Sequence, residues 1–424
     1  MNYDEALEYI HGVSWTFCKP GLERISALCE ALGHPERELK FVHVAGTNGK
    51  GSFSCMLESV LRSAGYRTGL YTSPYIKEFG ERMRLVGKNI PRDTLAKITE
   101  EVRPIADAMK DKPTEFELIT AIAFEFFRRE GCEIVVLEAG MGGRLDSTNV
   151  IREPLLSVIT GVALDHTVFL GDTVEKIARE KAGIIKDASP LLLGGEDDAV
   201  REVISTIASE RGSELFTVDY SKIKNLESGI EGSRFDFGDH RDVKIALAGL
   251  YQPKNAANVI TAVDILRSRG LDIPEEALLR GLAEARWPAR FEVISRDPLV
   301  IFDGAHNPEG VSVAVESIKR YFSGRRVYVL SGVLRDKDYS FIAKKIAEVA
   351  SRVFTLTPDN PRALSAEEYA VEFAKNGVEA TSYVSIGEAF FAAKSAAREN
   401  GTALVCLGSL YTYPDISRLN EEIN

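Results

Sequence analysis

Apolar and polar positions along this chain fall into two alternating series. Short apolar runs at 41–45, 66–71, 133–138, 155–160 and 190–193 predict strands. Between them, stretches near 52–64, 92–109, 115–130 and 173–183 repeat their apolar residues at helical spacing. Such alternation predicts a mostly parallel sheet with helices on both faces. From residue 299 the series restarts, with strands predicted at 299–303, 326–331, 352–357, 381–384 and 403–408. Helices are predicted between these strands, at 309–322, 339–350, 365–376 and 386–399.

Three stretches lie outside the two series. Residues 1–40 read as amphipathic helix: Leu22, Ile25, Leu28, Cys29 and Leu32 share a face, and Gly33-His34-Pro35 ends it. Residues 195–250 hold Ser-, Gly- and Asp-rich pieces around alternating segments such as 234–237 and 243–247, which predict a small β-rich region. A helix follows at 255–269. The segment 284–298, with Arg286, Trp287, Pro288, Arg290, Asp297 and Pro298, reads as a linker with a boundary near 296. The predicted architecture is α/β. A P-loop-type doubly wound domain with a small β-rich subregion covers 1–296, and a smaller Rossmann-like α/β domain covers 297–424.

Composition agrees with two or three ordinary globular domains. The chain has 424 residues, 45% hydrophobic and 27% charged, against about 100–200 residues per domain. A net charge of −11 disfavours nucleic acid or an anionic membrane as the main partner. It leaves anion binding open, because a local loop is able to be positive. The five cysteines (Cys18, Cys29, Cys55, Cys132 and Cys406) form no C-x-x-C pair, and three sit in apolar runs. Buried free thiols in a reducing cytoplasm fit this better than disulfides or zinc. No signal peptide is apparent, and no apolar run approaches the ~20 residues of a membrane span.

The strongest chemical signal is Gly46-Thr-Asn-Gly-Lys-Gly-Ser52. It follows a predicted strand and opens a predicted helix. That order builds a phosphate cradle from backbone N–H groups and a helix N-terminus. Lys50 would neutralise phosphate charge and Ser52 would reach a magnesium ion. The strict G-x-x-x-x-G-K-[ST] pattern fails, since residue 44 is Val and Gly51 follows Lys50. A Gly-rich turn with a surface lysine remains the plainer alternative.

Ligands of parallel sheets gather at the carboxyl ends of strands. There the sequence places Ser73, Glu138 and His166, which a parallel sheet would bring to one rim with Ser52. One carboxylate with hydroxyls and phosphate oxygens suits magnesium. In the second series, Asp303 ends a strand before Gly304-Ala-His306, and Arg290 lies in the linker. Lys181 ends a helical pattern, where a cation complements the helix dipole; as an ammonium it would repel magnesium.

Together these pieces resemble the folylpolyglutamate synthase/dihydrofolate synthase family of the muramyl-ligase superfamily. The likeness runs through His43-Val-Ala-Gly-Thr-Asn-Gly-Lys-Gly-Ser52, Tyr71-Thr-Ser-Pro74, Phe116-Glu117, Leu137-Glu-Ala-Gly-Met-Gly-Gly-Arg-Leu-Asp-Ser-Thr-Asn149, Leu164-Asp-His166 and Glu180-Lys-Ala-Gly183. It continues in Tyr251-Gln252, Asn255-Ala-Ala257, Arg290-Phe291, Phe302-Asp-Gly-Ala-His-Asn-Pro308, Asp336-Lys-Asp338 and Gly408-Ser-Leu-Tyr411. The resemblance implies an ATP-dependent ligase that joins L-glutamate to the carboxylate of dihydropteroate or of a reduced folate, through an acyl phosphate.

By the same resemblance, Asn48, Gly49, Lys50, Gly51 and Ser52 hold the ATP phosphates, and Asn255, Arg290, Asp303 and His306 serve the nucleotide. Ser73, Glu138 and His166 hold two magnesium ions. Phe116, Glu117, Leu145, Asp146 and Ser147 line the pterin site. Lys181 matches a carbamylated lysine. Lys50, Lys181 and His166 are the expected catalytic groups, in a cytoplasmic monomer. Tyr75, Ala289 and Glu309 depart from the family pattern, which usually has His, Gly and His there. A phosphotransferase, or a muramyl-type ligase for another acid, remains as an alternative; the pterin-type motifs count against the latter.

Overall fold

The computed structural model describes residues 1–13 and 20–423; Cys18 lies outside them. The chain divides into two compact units. One comprises Met1–Lys222 and Lys254–Ala285, the other Ile223–Pro253 and Arg286–Asn424.

The first unit is built on an eight-stranded sheet. Its strands are β1 (Phe41–Ala45), β2 (Thr68–Tyr71), β3 (Met83–Leu85), β4 (Lys88–Asn89), β5 (Ile134–Glu138), β6 (Leu156–Ile159), β7 (Leu191–Leu193) and β8 (Leu215–Thr217). Their spatial order is β4-β3-β2-β5-β1-β6-β7-β8. The pairs from β2 to β8 are parallel; only β3 and β4 run as an antiparallel hairpin at one edge. Every residue of β1, β2, β5, β6 and β7 is buried. This is why these strands read as continuous apolar runs: helices cover both faces.

On one face, Phe41, Val135 and Leu137 pack with Ile25, Leu28, Leu95, Leu118 and Phe124 from the helices Glu23–Ala31, Arg92–Ala108 and Glu115–Arg129. Another cluster joins Ala45 and Ile159 to Ala178, Ala182 and Ile204 from the helices Val174–Ala182 and Asp198–Glu210. The phosphate-loop helix, Lys50–Ser63, packs on the helix Glu275–Glu284. Their backbones approach so closely that a Cβ on Gly281 would lie 2.4 Å from Val60 Cα.

Several elements differ from the sequence reading. The N-terminal amphipathic pattern is two helices, Tyr3–Gly12 and Glu23–Ala31, with a 3₁₀ turn at Pro35–Glu38. The region 195–250 is only partly β. It opens with the 13-residue helix Asp198–Glu210, whose first turn is capped by the Asp197 carboxylate accepting from Val200 N. Strand β8 then joins the main sheet. Only β9 (Ile223–Gly229), β10 (Gly232–Phe237) and β11 (His240–Ile245) form the expected small β region, as a separate antiparallel sheet. The helices Glu275–Glu284 and Tyr413–Ile423 and the β3–β4 hairpin went unread.

The second unit carries a six-stranded sheet of β12 (Glu292–Arg296), β13 (Leu299–Asp303), β14 (Val327–Ser331), β15 (Ala350–Leu356), β16 (Ala380–Tyr383) and β17 (Leu404–Leu407), ordered β12-β13-β17-β14-β15-β16. All pairs are parallel except β12–β13. Residues 286–296 and the three-stranded sheet group with this unit, where the sequence reading sets them before a boundary at 296. The ladder between β12 and β13 ties residues 292–296 to the second sheet.

Candidate active site

The loop 46–49 leaves the carboxyl end of β1 and enters the helix Lys50–Ser63. Gly49 caps that helix with φ +85°, in the left-handed region. A Cβ there would sit 2.7 Å from Asn255 Oδ1, so the turn needs glycine twice over. The loop is pinned to the segment after β6. Thr47 N donates to Gly161 O at 2.8 Å, and Thr160 Oγ1 donates to Asn48 O at 2.7 Å. Lys50 folds back over the loop, its Nζ donating to the carbonyls of Gly46 (3.0 Å) and Thr47 (3.4 Å). Ser52 is buried in the first helical turn, and Gly51 precedes it there. Asn255 brings the helix Gln252–Ser268 against Gly49.

Lys181 sits in the last turn of the helix Val174–Ala182, as expected, but it is not at the surface. It is 3% exposed, and its Nζ donates to Gly46 O at 2.8 Å. Burial, helped by the Lys50 charge, pulls its pKa down to about 7; Asp165 and Asp146 pull the other way. Burial therefore favours the neutral amine over the ammonium.

The strand order β2-β5-β1-β6 sets four carboxyl ends side by side. Tyr71 pairs with Leu137 across β2 and β5, and Val44 pairs with Glu138 across β1 and β5. Thus the β2 loop with Ser73, the buried Glu138, the phosphate loop and the β6 loop with His166 leave the sheet on one rim. Ser73 Oγ accepts from Arg82 at 3.1 Å, and Arg82 lies over the ring of Tyr75, one of the departures from the family pattern. His166 is half-exposed, has φ +49° and caps the short helix Thr167–Leu170. Among the described residues no three His, Cys, Asp or Glu side chains gather as a metal site. The rim offers carboxylates, hydroxyls and one imidazole. Such an oxygen-rich and incomplete set fits magnesium, which keeps waters and takes phosphate oxygens.

The loop after β5 closes on Asp146. Its Oδ2 accepts from Met141 N (2.8 Å); its Oδ1 accepts from Thr148 N (3.0 Å) and Thr148 Oγ1 (2.6 Å). Burial raises the Asp146 pKa and these donors oppose the rise. Asp146 and Ser147 are buried, Leu145 is exposed. Phe116 covers the loop backbone: a Cβ on Gly140 would meet its Cζ at 2.7 Å. Glu117, adjacent in sequence, is engaged elsewhere. It completes the capping box with Thr114 and accepts from Arg24 Nε at 2.9 Å.

In the second unit, Asp303 ends β13 fully buried. It accepts from Tyr251 Oη (2.7 Å), Phe291 N (3.0 Å) and Ala305 N (2.8 Å). Burial drives its pKa up, against these donors and Arg290. A Cβ on Gly304 would lie 2.9 Å from Arg290 Nη1, and His306 Nδ1 lies 2.8 Å from Gly304 O. Arg290, Asp303 and His306 therefore form one cluster around Gly304. Ala289, before the arginine, has φ +56°, a conformation that glycine adopts without strain. Thr160, Tyr251 and Thr148 complete these clusters without having been assigned a role from sequence. Their one signal is position at, or beside, a motif.

The chain is similar to known proteins along nearly all of its length. The Mur ligase middle domain matches residues 44–263, and the Mur ligase, glutamate ligase domain matches 289–410. The dihydrofolate synthase/folylpolyglutamate synthase of Bacillus subtilis is 38% identical, with 86% of this chain and 87% of that protein covered. The folylpolyglutamate synthase of Lacticaseibacillus casei is 37% identical, with 87% and 89% covered. Among solved structures, Mycobacterium tuberculosis folylpolyglutamate synthase complexed with ADP and AMPPCP superposes with TM-score 0.91 at 29% identity, covering 99% of each chain. Escherichia coli FolC in complex with DHPP and ADP gives TM-score 0.87 at 29% identity, covering 100% of this chain and 98% of that one.

Proposed function

Because this chain belongs to the folylpolyglutamate synthase/dihydrofolate synthase family of the Mur ligases, an ATP-dependent glutamate ligase family, we propose that it adds L-glutamate to the carboxylates of both dihydropteroate and reduced folates. The observation that carries this reading is the shared rim of β2, β5, β1 and β6, where a phosphate loop, a buried carboxylate and the pterin-type segment around Asp146 leave the same sheet edge. A relative named for both activities supports the wider substrate range.

A carboxylate is a poor electrophile, and phosphorylation by ATP gives it a leaving group. The amine of glutamate then attacks the acyl phosphate and phosphate departs. Side chains have little covalent work here; they position groups and neutralise charge. Loop amides 46–51 and Lys50 grip the triphosphate, with Asn255 beside Gly49. In the second unit, Arg290, Asp303 and His306 are assigned to the nucleotide. Ser73, Glu138 and His166 are assigned to two magnesium ions, which when bound offset phosphate charge. Phe116 and residues 145–147 are assigned to the pterin acid, and Glu117 to shaping the helix beneath Phe116.

Lys181 is assigned as a carbamate. Its neutral amine nitrogen attacks carbon dioxide, a proton leaves, and the side chain becomes an anion. The carbamate nitrogen keeps one hydrogen, so the bond to Gly46 O survives. The change of sign removes the repulsion with Lys50 and with a nearby cation.

The test is to offer dihydropteroate and tetrahydrofolate separately with labelled glutamate and ATP. A mass gain of one glutamyl residue on each acid, with stoichiometric ADP, is expected. Phosphate transfer to the acceptor without glutamate incorporation overturns the reading; turnover of one acid alone narrows it to that acid.

A further inference from the structure

His43 is the odd residue of β1. The strand reads Phe-Val-His-Val-Ala, lies between β5 and β6, and is wholly buried. A fully buried imidazole needs a partner, and this one meets Thr148: Nε2 and Oγ1 lie 2.8 Å apart. A threonine hydroxyl carries one hydrogen. Here that hydrogen goes to Asp146 Oδ1, at 2.6 Å. The bond between His43 and Thr148 must then run the other way, with Nε2–H donating to Oγ1. Nδ1 is left as the unprotonated nitrogen, and it has no hydrogen-bond partner among the described residues. Burial holds the ring neutral, its pKa pulled down to about 3, as this tautomer requires.

The result is a directed chain, His43 to Thr148 to Asp146, in which each donated bond polarises the next. We propose that His43 is a positioning residue that fixes Asp146 through Thr148, locking the loop that faces the pterin acid to the strand that feeds the phosphate loop. Neither His43 nor Thr148 touches substrate in this scheme. The Asp146 carboxylate, held by both its oxygens, presents one orientation instead of several. This inference rests on the assignment of Asp146 to the pterin acid.

The experiment compares full-length His43→Leu, Thr148→Val, their double variant, the conservative His43→Gln and Thr148→Ser, and Asp146→Asn. Steady-state KM is read for dihydropteroate and for ATP, together with hydrogen exchange at the amides of Met141 and Thr148. Expected is a rise of about tenfold in dihydropteroate KM for His43→Leu and for Thr148→Val, with ATP KM unchanged. The double variant is no worse than the weaker single, His43→Gln and Thr148→Ser recover most of the loss, and amide protection falls with each loss of the chain. Additive effects, an equal rise in ATP KM, or unchanged protection at Met141 and Thr148 overturn the chain. Lost protection with unchanged dihydropteroate KM in every variant, Asp146→Asn included, leaves the chain standing and removes Asp146 from the substrate site.

Discussion

Lys50 and Lys181 aim their ammonium groups at a single acceptor, the carbonyl of Gly46, at 3.0 and 2.8 Å. Two like charges on one oxygen are costly in a buried setting, and Lys181 is the more deeply buried of the two. Burial first, and the Lys50 charge second, hold the Lys181 pKa down.

Removing carbon dioxide and bicarbonate should therefore silence the enzyme, and adding bicarbonate should restore it. Reloading should quicken as pH rises through about 7, because only the neutral amine reacts. Lys181→Met should be inactive and blind to bicarbonate. Activity measured in degassed buffer with bicarbonate titrated back decides this; a response in Lys181→Met, or none in the native enzyme, rejects the carbamate.

The Lys50→Ala substitution should leave the fold intact, since Lys50 is half-buried and its ammonium bonds the loop carbonyls of Gly46 and Thr47. Its kcat/KM for ATP should fall by about 10²-fold or more, the loss typical when one preorganised charge is removed from a developing anion. ADP release followed with saturating acid and glutamate is the measurement. A value within threefold of the native enzyme would show that the loop does not hold the triphosphate.

His43 makes a separate demand on stability. Its folded pKa near 3 lies below the unfolded value of 6.5, so the unfolded chain binds the extra proton in that window. Its neutral burial is fully tolerated above pH 6.5 and increasingly opposed as pH falls towards 3. The expected loss is on the order of 4 kcal/mol across the window. Urea midpoints between pH 7 and pH 4 should fall steeply in the native protein and less steeply in His43→Leu.

Tyr251→Phe removes a donor from a buried carboxylate without changing shape. Among the described residues, Asp303 then keeps only the amide donors of Phe291 and Ala305. Denaturant melts should show a loss of about 1–3 kcal/mol, the penalty for an under-satisfied buried group. An unchanged midpoint would mean that water replaces the hydroxyl at no cost.

Much of this protein is legible in its residue pattern. The buried parallel strands appear as mainly apolar runs because both faces are covered, and the phosphate loop is a local motif whose glycines and lysine sit next to each other. Elements at the periphery were harder. The helix Asp198–Glu210 hides among Ser, Gly and Asp residues because its Asp197 cap looks like a loop residue. The hairpin β3–β4 is too short for periodicity to show.

Residue order alone settled the strand-loop-helix at 41–63 and the identity of the groups at each strand end, since these depend on neighbours within a few positions. Only tertiary structure decided that Lys181 is buried against Gly46, 135 positions away, that Glu117 is spent on Arg24, and that His43 meets Thr148. Burial and hydrogen-bond direction are properties of what surrounds a side chain, and those surroundings are assembled from distant parts of the chain.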